Sequence, residues 1–123
     1  MTDPSGTYNF TAKYITGERQ LSFNVDPATG ALSGTLGTAA DASDVAGQWD
    51  DANSHITFND AFAGEILFTH FFDGYVSQQI EIDGRTVITG LAGTYHDFRI
   101  NAAGGLVTFI EDSGGWCASQ AFA

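Results

Sequence analysis

Three histidines, His55, His70 and His96, are the side chains of this sequence whose ordinary titration range brackets neutral pH. Three imidazoles converging around an open position would make a catalytic metal site, but their spacing gives that arrangement no support. No metal and no other cofactor is expected. Carboxylates stand close to two of them, in His70-Phe71-Phe72-Asp73 and in His96-Asp97. A carboxylate that orients an imidazole is the usual arrangement for general-base work. Neighbours on a strand point to opposite faces, so His96 and Asp97 are not expected to pair. His70 shares a face with Ile66, Phe68 and Phe72, which sets a titratable ring among apolar groups if that face is the inner one. The other face, Leu67, Thr69 and Phe71, is equally apolar, and alternation does not choose between them. His70 is therefore the candidate catalytic residue, with a structural or exposed histidine as the competing reading. Asp73 is either its orienting carboxylate or the first residue of an Asp-Gly turn, in which Gly74 would take φ > 0. His55 is out of phase with the inward Ile56 and Phe58 and is expected to face solvent.

Other chemistry is poorly supported. The chain lacks a Gly-x-Ser-x-Gly nucleophile motif, and Cys117, beside Trp116, reads as a small packed residue. Asp41, Asp44, Asp50, Asp51 and Asn53 lack the spacing of a calcium-binding loop and read as a solvated acidic segment.

The elements that must position these residues are strands. Tyr8, Phe10, Ala12 and Tyr14 alternate with Thr7, Asn9, Thr11 and Lys13, and Leu21, Phe23 and Val25 alternate with Gln20, Ser22 and Asn24. Asp26-Pro27-Ala28-Thr29-Gly30 supplies a turn, and Leu32, Gly34 and Leu36 share one face of the return strand. Short strands are expected at 45–49 and 54–59 around Asp50 to Asn53, then at 65–72, 75–82 and 85–92, joined by Asp73-Gly74 and Asp83-Gly84. The last of these is open to extension through 95–100. Asn101 to Gly105 and Asp112 to Gly115 bracket a strand at 106–111, leaving 116–122 as the final one. Eight to ten short strands with frequent turns, and no convincing helical period, give an all-β fold: an antiparallel up-and-down barrel of about eight strands, with a β-sandwich as the alternative. Residues 1–123 read as a single domain.

Fifteen Asp and Glu against four Lys and Arg give a formal charge of −11, the opposite of what a phosphate backbone or an anionic membrane attracts. Nucleic acid and membrane are not expected partners; a homo-oligomer is open. No apolar run reaches the ~18 residues of a membrane helix. The first residues show no secretory leader, so the expected location is cytoplasmic, or secreted if a leader has been removed.

Gly6-Thr7-Tyr8-Asn9, Phe23-Asn24-Val25, Thr29 to Leu36 (Thr-Gly-Ala-Leu-Ser-Gly-Thr-Leu) and Ala46-Gly47-Gln48-Trp49-Asp50 together resemble the opening half of the avidin and streptavidin family. The resemblance implies an eight-stranded barrel with a ligand in its mouth. The family's hydroxyl at the end of the hairpin return falls on Leu36, which cannot donate a hydrogen bond, and its tryptophan walls have no counterparts in 56–60 or 65–72. Biotin binding is therefore not implied.

Aromatic residues exceed what a narrow barrel interior easily holds, so some must lie elsewhere, lining a ligand mouth or a subunit interface or forming a second core layer under the loops. The favoured reading is a non-catalytic barrel that holds a small, largely apolar ligand in its interior, with Tyr8, Phe10, Trp49, His70, Phe72, Tyr75, Tyr95 and Trp116 as candidate ligand-binding residues. The alternatives are a barrel-cavity enzyme of cyclase or isomerase type that uses His70 or a tyrosine hydroxyl, and a lectin-like or self-associating module presenting Trp49 or Trp116.

Overall fold

The computed structural model describes residues 2–38, 42–61, 66–101 and 107–120, with the side chains of 61, 66–69, 98–101 and 107–112 outside the description. The described chain forms eight strands: β1 (Gly6–Ala12), β2 (Arg19–Val25), β3 (Ala31–Gly37), β4 (Ser43–Asp50), β5 (His55–Ala61), β6 (Ile66–Ile82), β7 (Arg85–Asn101) and β8 (Val107–Ser119). Each pairs antiparallel with its sequence neighbour. The pairing of β1 with β8, from Asn9↔Ser119 to Ala12↔Trp116, closes the sheet into a barrel. Closure leaves no sheet edge to be covered, which fits a chain built of successive short hairpins. No helix occurs among the described residues, and so none there is long and apolar enough to cross a membrane.

Alternation decides which side chains fill the barrel. Tyr8 and Phe10 on β1, Leu21 and Phe23 on β2, and Ile56 and Phe58 on β5 are buried, while the residues between them turn outward. Rings on neighbouring strands stack, as Phe58 does on Phe72 at 4.6 Å, and rings on strands that are not neighbours meet inside the barrel, Phe10 of β1 with Phe72 of β6 and Phe58 of β5 with Trp116 of β8, both at 5.5 Å. Each fully buried ring of this kind contributes roughly 1.5–3 kcal/mol. Among the described residues, the axis of the barrel is therefore occupied by side chains.

One end is sealed by residues 2–5. Pro4 is buried, Thr2 N donates to Asp51 Oδ1 at 2.9 Å, and Val25 N donates to Ser5 Oγ at 2.9 Å. The Tyr8 hydroxyl donates to the Pro4 carbonyl at 2.6 Å. Burial, and then the charge of Asp3, push the Tyr8 phenol well above its ordinary value of 10.0. The folded state thus keeps this proton while the unfolded chain loses it near pH 10, so the stabilisation is complete below pH 10 and declines above it, by up to about 1.4 kcal/mol per pH unit. Tyr8→Phe is expected to lower stability by about 1 kcal/mol at pH 8, where the hydrogen bond is lost, and to flatten the decline above pH 10. Urea midpoints measured on both sides of pH 10 check this; parallel curves for the two proteins would refute it.

Two turn expectations are corrected. Asp83-Gly84 is a hairpin turn with φ of 51° and 75°, as a type I′ turn requires. Asp73-Gly74 is not a turn: β6 runs through it, and Gly74 has no positive φ. Its glycine serves space, since a Cβ there would come within 2.5 Å of Trp116 Cζ2 and of the Ala92 carbonyl oxygen. Asp112-Ser113-Gly114-Gly115 likewise lies inside β8, which joins the strands expected at 106–111 and 116–122. Its extra residues fall where the register slips from His96↔Ser113 to Asp97↔Ile110, as in a β-bulge. Cys117, read as a packed residue, is exposed, with its sulfur 3.1 Å from Thr11 Oγ1.

Candidate functional site

The opposite end of the barrel carries the polar chemistry. Asp60, near the end of β5, is in phase with Ile56 and Phe58 and is 1% exposed. Register sets it directly beside His70 on β6, and His70 directly beside Asp97 on β7. Three consecutive strands therefore bring a carboxylate, an imidazole and a second carboxylate into one row.

His70 Nδ1 lies 3.0 Å from Asp60 Oδ1 and 3.2 Å from Oδ2, and the His70 backbone N–H donates to the same Oδ1 at 2.8 Å. Its other ring nitrogen, Nε2, is 2.9 Å from Asp97 Oδ1. An ionised carboxylate only accepts hydrogen bonds, so the Nδ1 that faces Asp60 carries a hydrogen, and when protonated the ring pairs with both carboxylates. Rings surround that imidazole. Tyr14 stacks on it at 4.2 Å with an interplanar angle of 11°, while Phe72 and Tyr95 approach it at 6.0 and 6.2 Å.

Tyr14 reaches this position from the turn that follows β1. There Lys13 N donates to Gly115 O at 3.2 Å and Ile15 N to Ala12 O at 3.0 Å, which fold the chain back over the barrel end. Burial, then the negative charges of Asp60 and Asp97, push the Tyr14 phenol far above its ordinary range, against the pull of Arg19. Its hydroxyl is a permanent donor. At the Asp60 end of the row opens a cleft of about 420 Å³, with Tyr14, Ile15 and Leu36 as its apolar wall and Thr16, Arg19, Gly37, Ser43 and Asp60 around them. Arg19 is steadied by bonds from Nη1 to the carbonyls of Glu18 (3.1 Å) and Thr16 (3.4 Å), and Ser43 Oγ donates to Leu36 O at 3.3 Å.

Of the sequence candidates, His70, Phe72 and Tyr95 meet at this end. Phe10 and Trp116 lie deeper, packed on Phe72. Tyr8 and Trp49 belong to the sealed end, where Trp49 Nε1 donates to Asp51 Oδ1 at 3.3 Å. Both tryptophans are buried, so neither is presented on the outside. Tyr75 is 55% exposed on the outer face. Asp73 lies out of phase with His70 and is paired with His55, Nε2 to Oδ1 at 2.5 Å. His55 faces outward, and His96 is exposed and out of phase with Asp97, both as alternation requires. Sequence reasoning did not single out Asp60, Arg19 or Ser43, nor give Tyr14 a site role. The readable signal was phase: Asp60 follows Ile56 and Phe58 at the period of the buried face.

No three His, Cys, Asp or Glu side chains among the described residues gather as metal ligands. The row itself does not converge on a point, since the imidazole lies between its two carboxylates. What it can do is hold a fixed, hydrogen-bonded charge pattern beside an apolar-walled cleft. Compared with family models, curated proteins and solved structures, the chain matches none.

Proposed function

We propose that this chain is a non-catalytic barrel that binds a small, largely apolar ligand in the cleft at its mouth. The observation that carries this reading is the apolar wall of Tyr14, Ile15 and Leu36 set beside the buried carboxylate of Asp60. Pockets of about 300–1,000 Å³ with apolar walls and a few fixed polar groups are the usual sites for small ligands. The ligand's apolar body rests on the wall, and a hydrogen-bond donor on it is directed toward Asp60. The axis of the barrel is filled with rings, so the ligand sits above them and not among them.

Binding is favoured over catalysis by the placement of His70. Both its nitrogens face carboxylates, at 3.0 and 2.9 Å, and the ring is not among the residues that line the cleft. The resemblance to the avidin and streptavidin family supports the same placement, a ligand in the mouth of an eight-stranded barrel. A charge of −11 leaves nucleic acid and membrane surfaces out of this reading.

The test is a fluorescence titration with Nile red, a neutral apolar dye. Saturable binding is expected for the native chain, and Ile15→Asp, which sets a carboxylate in the apolar wall, is expected to weaken it at least about tenfold. Ile15 is half-buried in a turn, so circular dichroism of the variant should be unchanged. Absence of saturable binding, or equal affinity of the variant, overturns the proposal.

A further inference from the structure

A second site is written on the outside of the barrel. Phe71 and Tyr75 are the large apolar side chains exposed among the described residues, at 38% and 55%, and both stand on the outer face of β6. Four residues along a strand separate them by about 13 Å. Between them is Asp73, and the strand pairs on either side add Asn59 and His96 beside Phe71, Thr57 and Thr94 beside Asp73, and His55 and Ala92 beside Tyr75. The Asp73 carboxylate holds His55 at 2.5 Å, and the His55 ring lies against Tyr75 at 4.7 Å, so the tyrosine is propped in place with more than half of its surface open.

We infer that this stripe is a binding face for a neutral oligosaccharide of at least three pyranose rings. Each exposed ring offers a platform for the C–H face of one sugar. Asp73, Asn59 and Thr57 offer acceptors and donors for the hydroxyls of the unit between. The separation of the rings exceeds the length of a disaccharide, which sets the minimum chain. Charge selects the ligand class: a chain of −11 repels acidic polymers, and a neutral glycan meets no such barrier. The same charge opposes a second copy of this chain on the stripe. Cores of protein interfaces are, besides, depleted of the charged residues that stand here between the rings. The lectin-like alternative thus attaches to Phe71 and Tyr75, not to the buried Trp49 and Trp116.

Affinity gel electrophoresis against soluble xylan, mannan, β-1,3-glucan and amylose tests the inference. Retardation is expected in at least one of these gels. Tyr75→Ala and Phe71→Ala should each reduce the affinity at least tenfold, while Tyr75→Trp, which keeps a platform, retains it. Ile15→Asp should leave retardation unchanged, which separates this site from the mouth cleft. Sedimentation velocity of the same proteins supplies the opposing outcome. A dimer that becomes a monomer on Tyr75→Ala would make the stripe a self-interface and overturn the inference, as would native mobility in all four gels.

Discussion

Valine at position 47 is expected to prevent folding, and alanine there to cost about 3 kcal/mol, well above the effect of an ordinary strand substitution. Gly47 stands on the inward face of β4 directly opposite Phe58 of β5. A Cβ built on it would land on the Thr57 carbonyl oxygen and come within 2.6 Å of Phe58 Cα and 2.8 Å of Phe58 Cβ. Backbone atoms of a paired strand cannot give way as the end of a flexible side chain can. Relief would require β4 and β5 to part, and parting two strands opens a closed barrel. Gly34 faces the same conflict with Ser22 and Phe23 across β3 and β2. Gly115 is the control: its nearest neighbour for a new Cβ is the Gly93 carbonyl oxygen at an ordinary 3.7 Å, and it has no positive φ. Gly115→Ala should therefore change stability by less than about 0.5 kcal/mol. Urea unfolding followed by the fluorescence of the two buried tryptophans reads all three variants. A Gly47→Ala protein as stable as Gly115→Ala would show that β4 and β5 are not so closely apposed.

These glycines show why the fold was legible only in part. Alternation located β1 to β5, because their outward positions are polar and their turns rich in Asp, Asn and Gly. Glycine has two uses, however, and a single sequence does not distinguish them. At Gly84 it supplies a positive φ in a hairpin turn; at Gly74 it makes room for Trp116 inside a long strand. Reading both as turns divided β6 from its continuation, and the same confusion at Asp112 to Gly115 divided β8. The face of β6 was ambiguous for another reason. Phe71 and Phe72 are equally apolar, and only the pairing of Phe72 with Phe58 turns one inward and leaves the other on the surface. His70 was therefore visible as a candidate, but its partners were not. Nearness in sequence pointed to Asp73, whereas strand register joins His70 to Asp60 and Asp97. A carboxylate in the buried phase of a strand also runs against the usual preference of charge for solvent, so Asp60 was overlooked although its phase was plain.

The row at the barrel mouth makes the second large prediction. Asp60→Ala is expected to cost about 3–5 kcal/mol, since it removes the acceptor that serves both the backbone N–H and Nδ1 of a nearly buried His70. His70→Ala should be of similar size, because it takes away the imidazole between two carboxylates and the ring on which Tyr14 stacks. Buried ion pairs are costly to break and far less costly to replace, as a well-packed apolar pair avoids the desolvation of both charges. In the double variant Asp60→Ala with His70→Ala neither group is left facing the place of the other, so its cost should fall short of the sum of the two single alanine variants by about 2 kcal/mol. The double variant should also bind Nile red, whose contacts lie on the apolar wall, at close to native affinity. A ligand that donates a hydrogen bond to Asp60 should lose affinity by tenfold or more. Denaturation curves of the single and double variants, with the dye titration repeated on the double, measure both quantities. If the double variant costs the full sum of the alanine variants, the carboxylate and the imidazole are not coupled, and the row is not the unit that shapes the mouth.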